Sequence, residues 1–174
     1  MKLTLLFALC LGLTCGIPAP QSSANTRTKP KVLQLADLTY EPEIKSVRLY
    51  PGETTVLPAV IRLGEASLTL EFDDLRDDYQ SYYARLINCN YDWTASGLQD
   101  LDFLSAYNEF PINTYEFSVD THIPYVHYAV NIPPVKISGN YVVVVYRDGN
   151  KDDIILTRRF MVFENRVAFL NNGN

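Results

Sequence analysis

Between Ser67 and Trp93 the chain reads SLTLEFDDLRDDYQSYYARLINCNYDW, two alternating runs separated by an acidic turn, and that pattern commits the segment to a sheet. Leu68, Leu70 and Phe72 fall on one side of the first run, with Thr69, Glu71 and Asp73 on the other. A period of two marks a half-buried strand. The second run, Tyr82 to Asn88, sets Tyr83, Arg85 and Ile87 against Ala84, Leu86 and Asn88, and ends at Cys89 before the only tryptophan, Trp93. Two strands joined by a polar loop make a natural first sheet.

Further strands flank this pair. IKSVRLY starts near Ile44 and stops at the turn pair Pro51-Gly52. TTVLPAVIRLG carries Pro58 in its middle and, because proline cannot donate to a ladder, is expected at a sheet edge or broken there. Thr94 to Pro111 loses the period of two and reads as a long loop with at most one helical turn, packed on by Phe103 and Leu104. Strands resume at TYEFSV and YVHYAVNI, the latter ended by Pro133-Pro134.

NYVVVVYRD differs from the others in being apolar on both faces, with Tyr141, Val143 and Val145 on one and Val142, Val144 and Tyr146 on the other. Such a strand is central. The turn Asp148-Gly149-Asn150 then returns the chain as DIILTRRFMVF, in which Arg158 and Arg159 point to opposite faces. In a two-layer fold one face of each sheet looks outward, so Val142, Val144 and Tyr146 need a cover, from the Thr94 to Pro111 loop or from another protein. These three residues, with the turn at Asp92 and Trp93, are the candidate protein-contact residues.

A chain of 174 residues, 47% hydrophobic, suits one domain with a real core. Its twelve tyrosines and eight phenylalanines favour strands over helices. Short strands separated by turn signals, without a long helix, define the fold class as all-β, an immunoglobulin-like antiparallel β-sandwich, with a closed barrel as the alternative. The net charge of -5 and the lack of a basic stripe argue against nucleic acid as a partner.

Met1 to Gly16 has one basic residue, Lys2, before an apolar run from Leu3 to Leu13, the layout of a bacterial signal peptide. The run is shorter than the roughly 20 residues of a membrane-spanning helix. Cys15 stands where an acylated cysteine would be, on an imperfect lipoprotein motif, and is the lipidation candidate. Cys10 leaves with the leader, so Cys89 has no intrachain partner for a disulfide. Residues 17–43, rich in Pro, Ser, Thr and Lys, read as a disordered linker, 44–165 as the sandwich, and 166–174 as the start of a following region.

Catalytic signatures are missing from the sequence. His122 and His127 have no metal-ligand spacing, and no nucleophile elbow, P-loop or dinucleotide-binding motif occurs. Neither an enzyme nor a cofactor is expected. Asp73, Asp74, Asp77 and Asp78 have the oxygen chemistry for Ca²⁺ but not a ligating spacing, and read as a solvated turn. Asp73 and Asp74 are alternatively partners for Arg158 or Arg159. Tyr82, Tyr83, Tyr91 and Trp93 admit a second functional reading, a secreted carbohydrate-binding module with an exposed aromatic platform, against their use as core.

Taken together, VRLYPG, LTLEFDDL, YYARLINCNYDW, IPYVHYAV, KISGNYVVVVYRDG and ILTRRFMVFE, in this order from about Ile44 to Glu164, resemble the N-terminal domain of the type IX secretion system plug protein family of Bacteroidetes-type bacteria. The resemblance implies an immunoglobulin-like sandwich exported to the periplasm and associated with the outer membrane. It further implies, as partner, the giant outer-membrane translocon barrel, whose periplasmic opening the family is thought to occlude until a substrate is handed over. Family members continue beyond this first domain, which leaves three readings of this chain: a truncated gene product, a fragment, or a stand-alone paralogue.

Overall fold

The structure is a computed structural model that describes residues 31–52, 56–65 and 67–165. The two alternating runs are realised as β4 (Leu68–Asp74) and β5 (Tyr82–Cys89), whose burial switches residue by residue. They do not pair with each other. The loop between them carries the chain from one layer to the other, so the two runs seed two facing sheets instead of one hairpin.

The remaining elements are β1 (Leu38–Thr39), β2 (Ile44–Pro51), β3 (Val60–Arg62), β6 (Phe110–Pro111), β7 (Thr114–Phe117), β8 (Val126–Asn131), β9 (Gly139–Arg147) and β10 (Ile154–Phe163), with one helical turn, α1 (Asp100–Phe103). One sheet runs β2-β4-β8-β7. The other runs β1-β10-β9-β5-β6, with β3 also against β10. All pairings are antiparallel except that of β3 with the end of β10. This is the strand order of an immunoglobulin-like sandwich, in which the first, second, fifth and fourth principal strands form one layer and the third, sixth and seventh the other. The corner is built as in that fold too. Tyr141 opens β9 and its hydroxyl donates to the carbonyl of Ile137 at 2.8 Å.

Between the layers Leu68, Leu70, Phe72, Leu86, Val126, Tyr128, Tyr141, Val143, Val145 and Phe160 form one contiguous core. Phe72 stacks on Tyr128 at 5.2 Å and meets Tyr82 edge-on at 5.3 Å, the preferred aromatic geometries. The Thr94 to Pro111 segment packs as read, through buried Phe103 and Leu104. Asn108 in that segment substitutes for a neighbouring strand: its side chain accepts from the Leu86 N–H and donates to the Leu86 carbonyl, both at 2.8 Å.

Pro58 precedes a three-residue edge strand, β3, in keeping with its inability to donate. Two further expectations are corrected. Residues 31–43, read as linker, belong to the fold from Lys31 onward: β1 pairs with β10, and Leu33, Leu35 and Tyr40 pack on its sheet. Asp73 and Asp74 do not meet Arg158 or Arg159. Asp74 is fully buried against Arg76 and the Tyr82 hydroxyl, while Asp73 binds His127 Nδ1 at 2.7 Å. The leader with Cys15, residues 17–30 and the tail at 166–174 lie outside the described residues.

Candidate interaction surface

Val142, Val144 and Tyr146 lie on the outward face of the larger sheet, as their parity demands, yet each is 0% exposed. The Thr94 to Pro111 loop supplies only the end of the cover, where the Tyr146 hydroxyl donates to Glu109 at 2.7 Å. The apolar cover is a strap made by residues 31–40, whose Leu33, Leu35 and Tyr40 complete a second apolar cluster with Cys89, Ile154, Tyr83, Ile87 and Trp93. These three valine and tyrosine positions are therefore core, and the expectation that they form a contact surface is overturned by the strap's apolar side.

Polar bonds hold the strap in place along its length. Thr157 Oγ1 donates to the Ala36 carbonyl at 2.6 Å, Arg159 Nε to Leu35 at 2.8 Å, and the Asp37 carboxylate accepts from the Arg159 N–H at 2.7 Å. Tyr40 closes the strap on itself, its hydroxyl accepting from the Gln34 N–H and donating to the Val32 carbonyl. At one end Lys31 bonds Glu41 and Asp153, Arg147 bonds the same two carboxylates, and Arg76 links Glu41 to Asp74. Burial alone pushes the Glu41 carboxyl up, but the bonds from Lys31 and Arg147 outweigh it and hold the group below the ordinary range. Burial, then the bond to Asp74, raises the Tyr82 phenol far above its usual value, so it stays a donor.

Trp93 shares the Val142 face, half-buried, with the Arg159 guanidinium over its ring at 4.4 Å. Its φ of +64° is unusual for a bulky residue and is imposed by the turn. Asp92 is exposed and builds that turn by accepting from the Thr94 N–H and hydroxyl at 3.1 and 2.7 Å, which also keeps its carboxyl below the ordinary value. The structure thus brings Trp93 together with Val142, Val144 and Tyr146, but beneath the strap, and leaves Asp92 alone in solvent.

The aromatic platform for a sugar does not form. Tyr82 is core, Tyr83 stacks on Tyr146 at 6.2 Å, Trp93 is capped by arginine, and only Tyr91 of the four stands free. The acidic group likewise disperses, with Asp77 and Asp78 in solvent and Asp73 and Asp74 each paired. Among the described residues no three His, Cys, Asp or Glu side chains converge to hold a metal ion.

A different surface stands open. Among the described residues strand β7 pairs with β8 on one side only, and all four of its residues are exposed. Tyr115 lies opposite Tyr128 and Phe117 opposite Val126, so both rings are on the core-facing side of their sheet. The strand that ends the other layer, β6, is two residues long, and Tyr115 and Phe117 stay 41% and 52% exposed. The Tyr79 ring packs at a tilt against Tyr115 at 4.7 Å, and Val119 and Ile123 extend the apolar strip along the β7–β8 loop. Its rim is acidic, with Asp77, Asp78, Glu116 and Asp120 all in solvent. The pattern of TYEFSV marks it as a strand but does not mark it as an edge. A signal was present: no lysine or arginine occurs from residue 86 to residue 135.

Strand order, tyrosine corner and doubly buried central strand together define an immunoglobulin-like sandwich with one sealed outer face and one open edge. The chain belongs to the family described as Type 9 secretion system plug protein 1st domain, whose model matches residues 44–164. The match takes in both sheets except β1, and leaves out the strap. A crystal structure of a hypothetical protein from Parabacteroides merdae ATCC 43184 is similar, with a TM-score of 0.71 and 27% identity over 75% of this chain and 34% of that one. This chain therefore spans about a third of that relative's length. No curated protein sequence matches significantly.

Proposed function

We propose that the domain works by docking, without chemistry of its own, at the outer-membrane translocon barrel of type IX secretion, where it helps to occlude the periplasmic opening. The observation that carries this reading is the family match, which runs across the sandwich from Ile44 to Glu164. A rigid two-layer body suits the task, since closing a pore rim asks for shape and an adhesive edge and for no reactive group. Met1 to Gly16 would export the chain, and Cys15, if acylated, would add a tether to the membrane.

The test is capture from detergent-solubilised outer membranes of a type IX-secreting bacterium on the immobilised whole chain. Co-purification of a very large barrel protein is expected, together with a fall in that barrel's single-channel conductance when the chain is added from its periplasmic side. Capture without the barrel, or unchanged conductance, would refute the occlusion reading.

A further inference from the structure

We propose that the free edge of β7 is a strand-addition site that takes an extended segment of a partner protein with apolar alternation and flanking Lys or Arg residues. The partner's identity as part of the translocon rests on the docking reading; the existence of the site rests on the edge alone.

Backbone geometry supplies the first half of the case. The Ser118 N–H donates to the Tyr125 carbonyl at 2.9 Å, which fixes the phase of the antiparallel ladder. Residues 114, 116 and 118 then turn their backbone groups toward β8. Tyr115 and Phe117 turn theirs away, toward solvent. The same two residues carry the exposed inward rings, so an added strand would gain main-chain bonds and an aromatic floor at one place. The other edge of this sheet is protected differently: β2 is bulged between Lys45 and Arg48, with Ser46 at a φ of +51°, and it carries both of those cations. Strand β7 has neither a bulge nor a lysine.

Charge supplies the second half and selects the occupant. Glu116 lies within the strand and Asp120 just after it, and Asp77 and Asp78 precede Tyr79. The guanidinium next to Asp77, that of Arg76, is engaged by Asp74 and Glu41, and Asp73 is engaged by His127. A second copy of this chain would bring the same acidic rim against itself. A cationic strand complements it.

The test uses the whole chain and a synthetic nonapeptide of alternating threonine and β-branched apolar residues with two lysines at each end, against the same peptide ended in glutamates. The lysine peptide is expected to bind about tenfold or more tightly at low salt, to weaken as salt rises, and to protect the amides of Tyr115 and Phe117 from hydrogen exchange. Phe117→Pro removes an outward donor while sparing every bond to β8, and should abolish binding with the melting temperature kept. Glu116→Lys with Asp120→Lys should reverse the preference between the peptides. Equal binding of both peptides, protection elsewhere, or dimerisation of the chain through β7 would overturn the assignment. Barrel capture that persists in a folded Phe117→Pro variant would sink the edge and spare the docking reading, whereas peptide binding without barrel capture would do the reverse.

Discussion

Replacing Val144 by lysine should unfold the domain. Val144 is fully buried on the outer face of β9, opposite Arg85 on one side and Thr157 on the other. Aspartate is a poorer probe, because Arg85 has a buried Nε without a hydrogen-bond partner and would offer an introduced carboxylate some compensation. Lysine meets like charge instead. The substitution forfeits about 1.5–3 kcal/mol of valine burial and adds several kcal/mol for a buried, unpaired ammonium. The sum is roughly 5 kcal/mol or more, the lower bound of what a typical domain has in total. Val144→Ala, which removes two methyl groups and leaves a small void, should cost about 2–3 kcal/mol and stay folded. Urea titration followed by the fluorescence of Trp93, the only tryptophan and a neighbour of this cluster, reads both variants. A Val144→Lys protein with an unchanged midpoint would show that the strap does not cover the face, and the account of the second cluster would fall.

Two further outcomes follow from single bonds. Glu41 has a folded pKa below its unfolded one, so it contributes stability that is complete above the unfolded value near 4.5 and is lost as pH falls through the folded value. Glu41→Gln should therefore lower the melting temperature at pH 7 and flatten its decline below pH 4.5; parallel wild-type and variant profiles would refute the role of the ionic node. Tyr141→Phe leaves the Ile137 carbonyl without its donor at the corner and should cost about 1–3 kcal/mol in the same urea assay, with no loss of fold.

The strands and the layer architecture were legible because their side chains alternate in the sequence itself. Leu68, Leu70 and Phe72 have no reason to alternate unless one side is to be hidden, and the run from Tyr141 to Tyr146 announces burial on both sides. The cover for that strand is hidden by composition, because the prolines, threonines and lysines of residues 17–43 dilute a short alternation, Leu33 and Leu35 against Val32 and Gln34. That alternation shows its use only once Thr157 and Arg159 of β10 are near in space. The open edge is obscured for a related reason. Period two says that Tyr115 and Phe117 share a side, but that β7 ends its sheet, with nothing among the described residues paired beyond it, is a matter of tertiary pairing.

The strap also sets an order of events for a chain made from its N-terminus. Ala36 finds its donor at Thr157 and Leu35 finds its donor at Arg159, separations of 121 and 124 residues. Loop closure on that scale is deferred until β10 has emerged, so the apolar side chains of the strap, Leu33, Leu35 and Tyr40, stay bare while the strands between are made. A nascent domain of this design remains loose, and fit to be threaded, until β10 arrives to be clasped by the strap and β1.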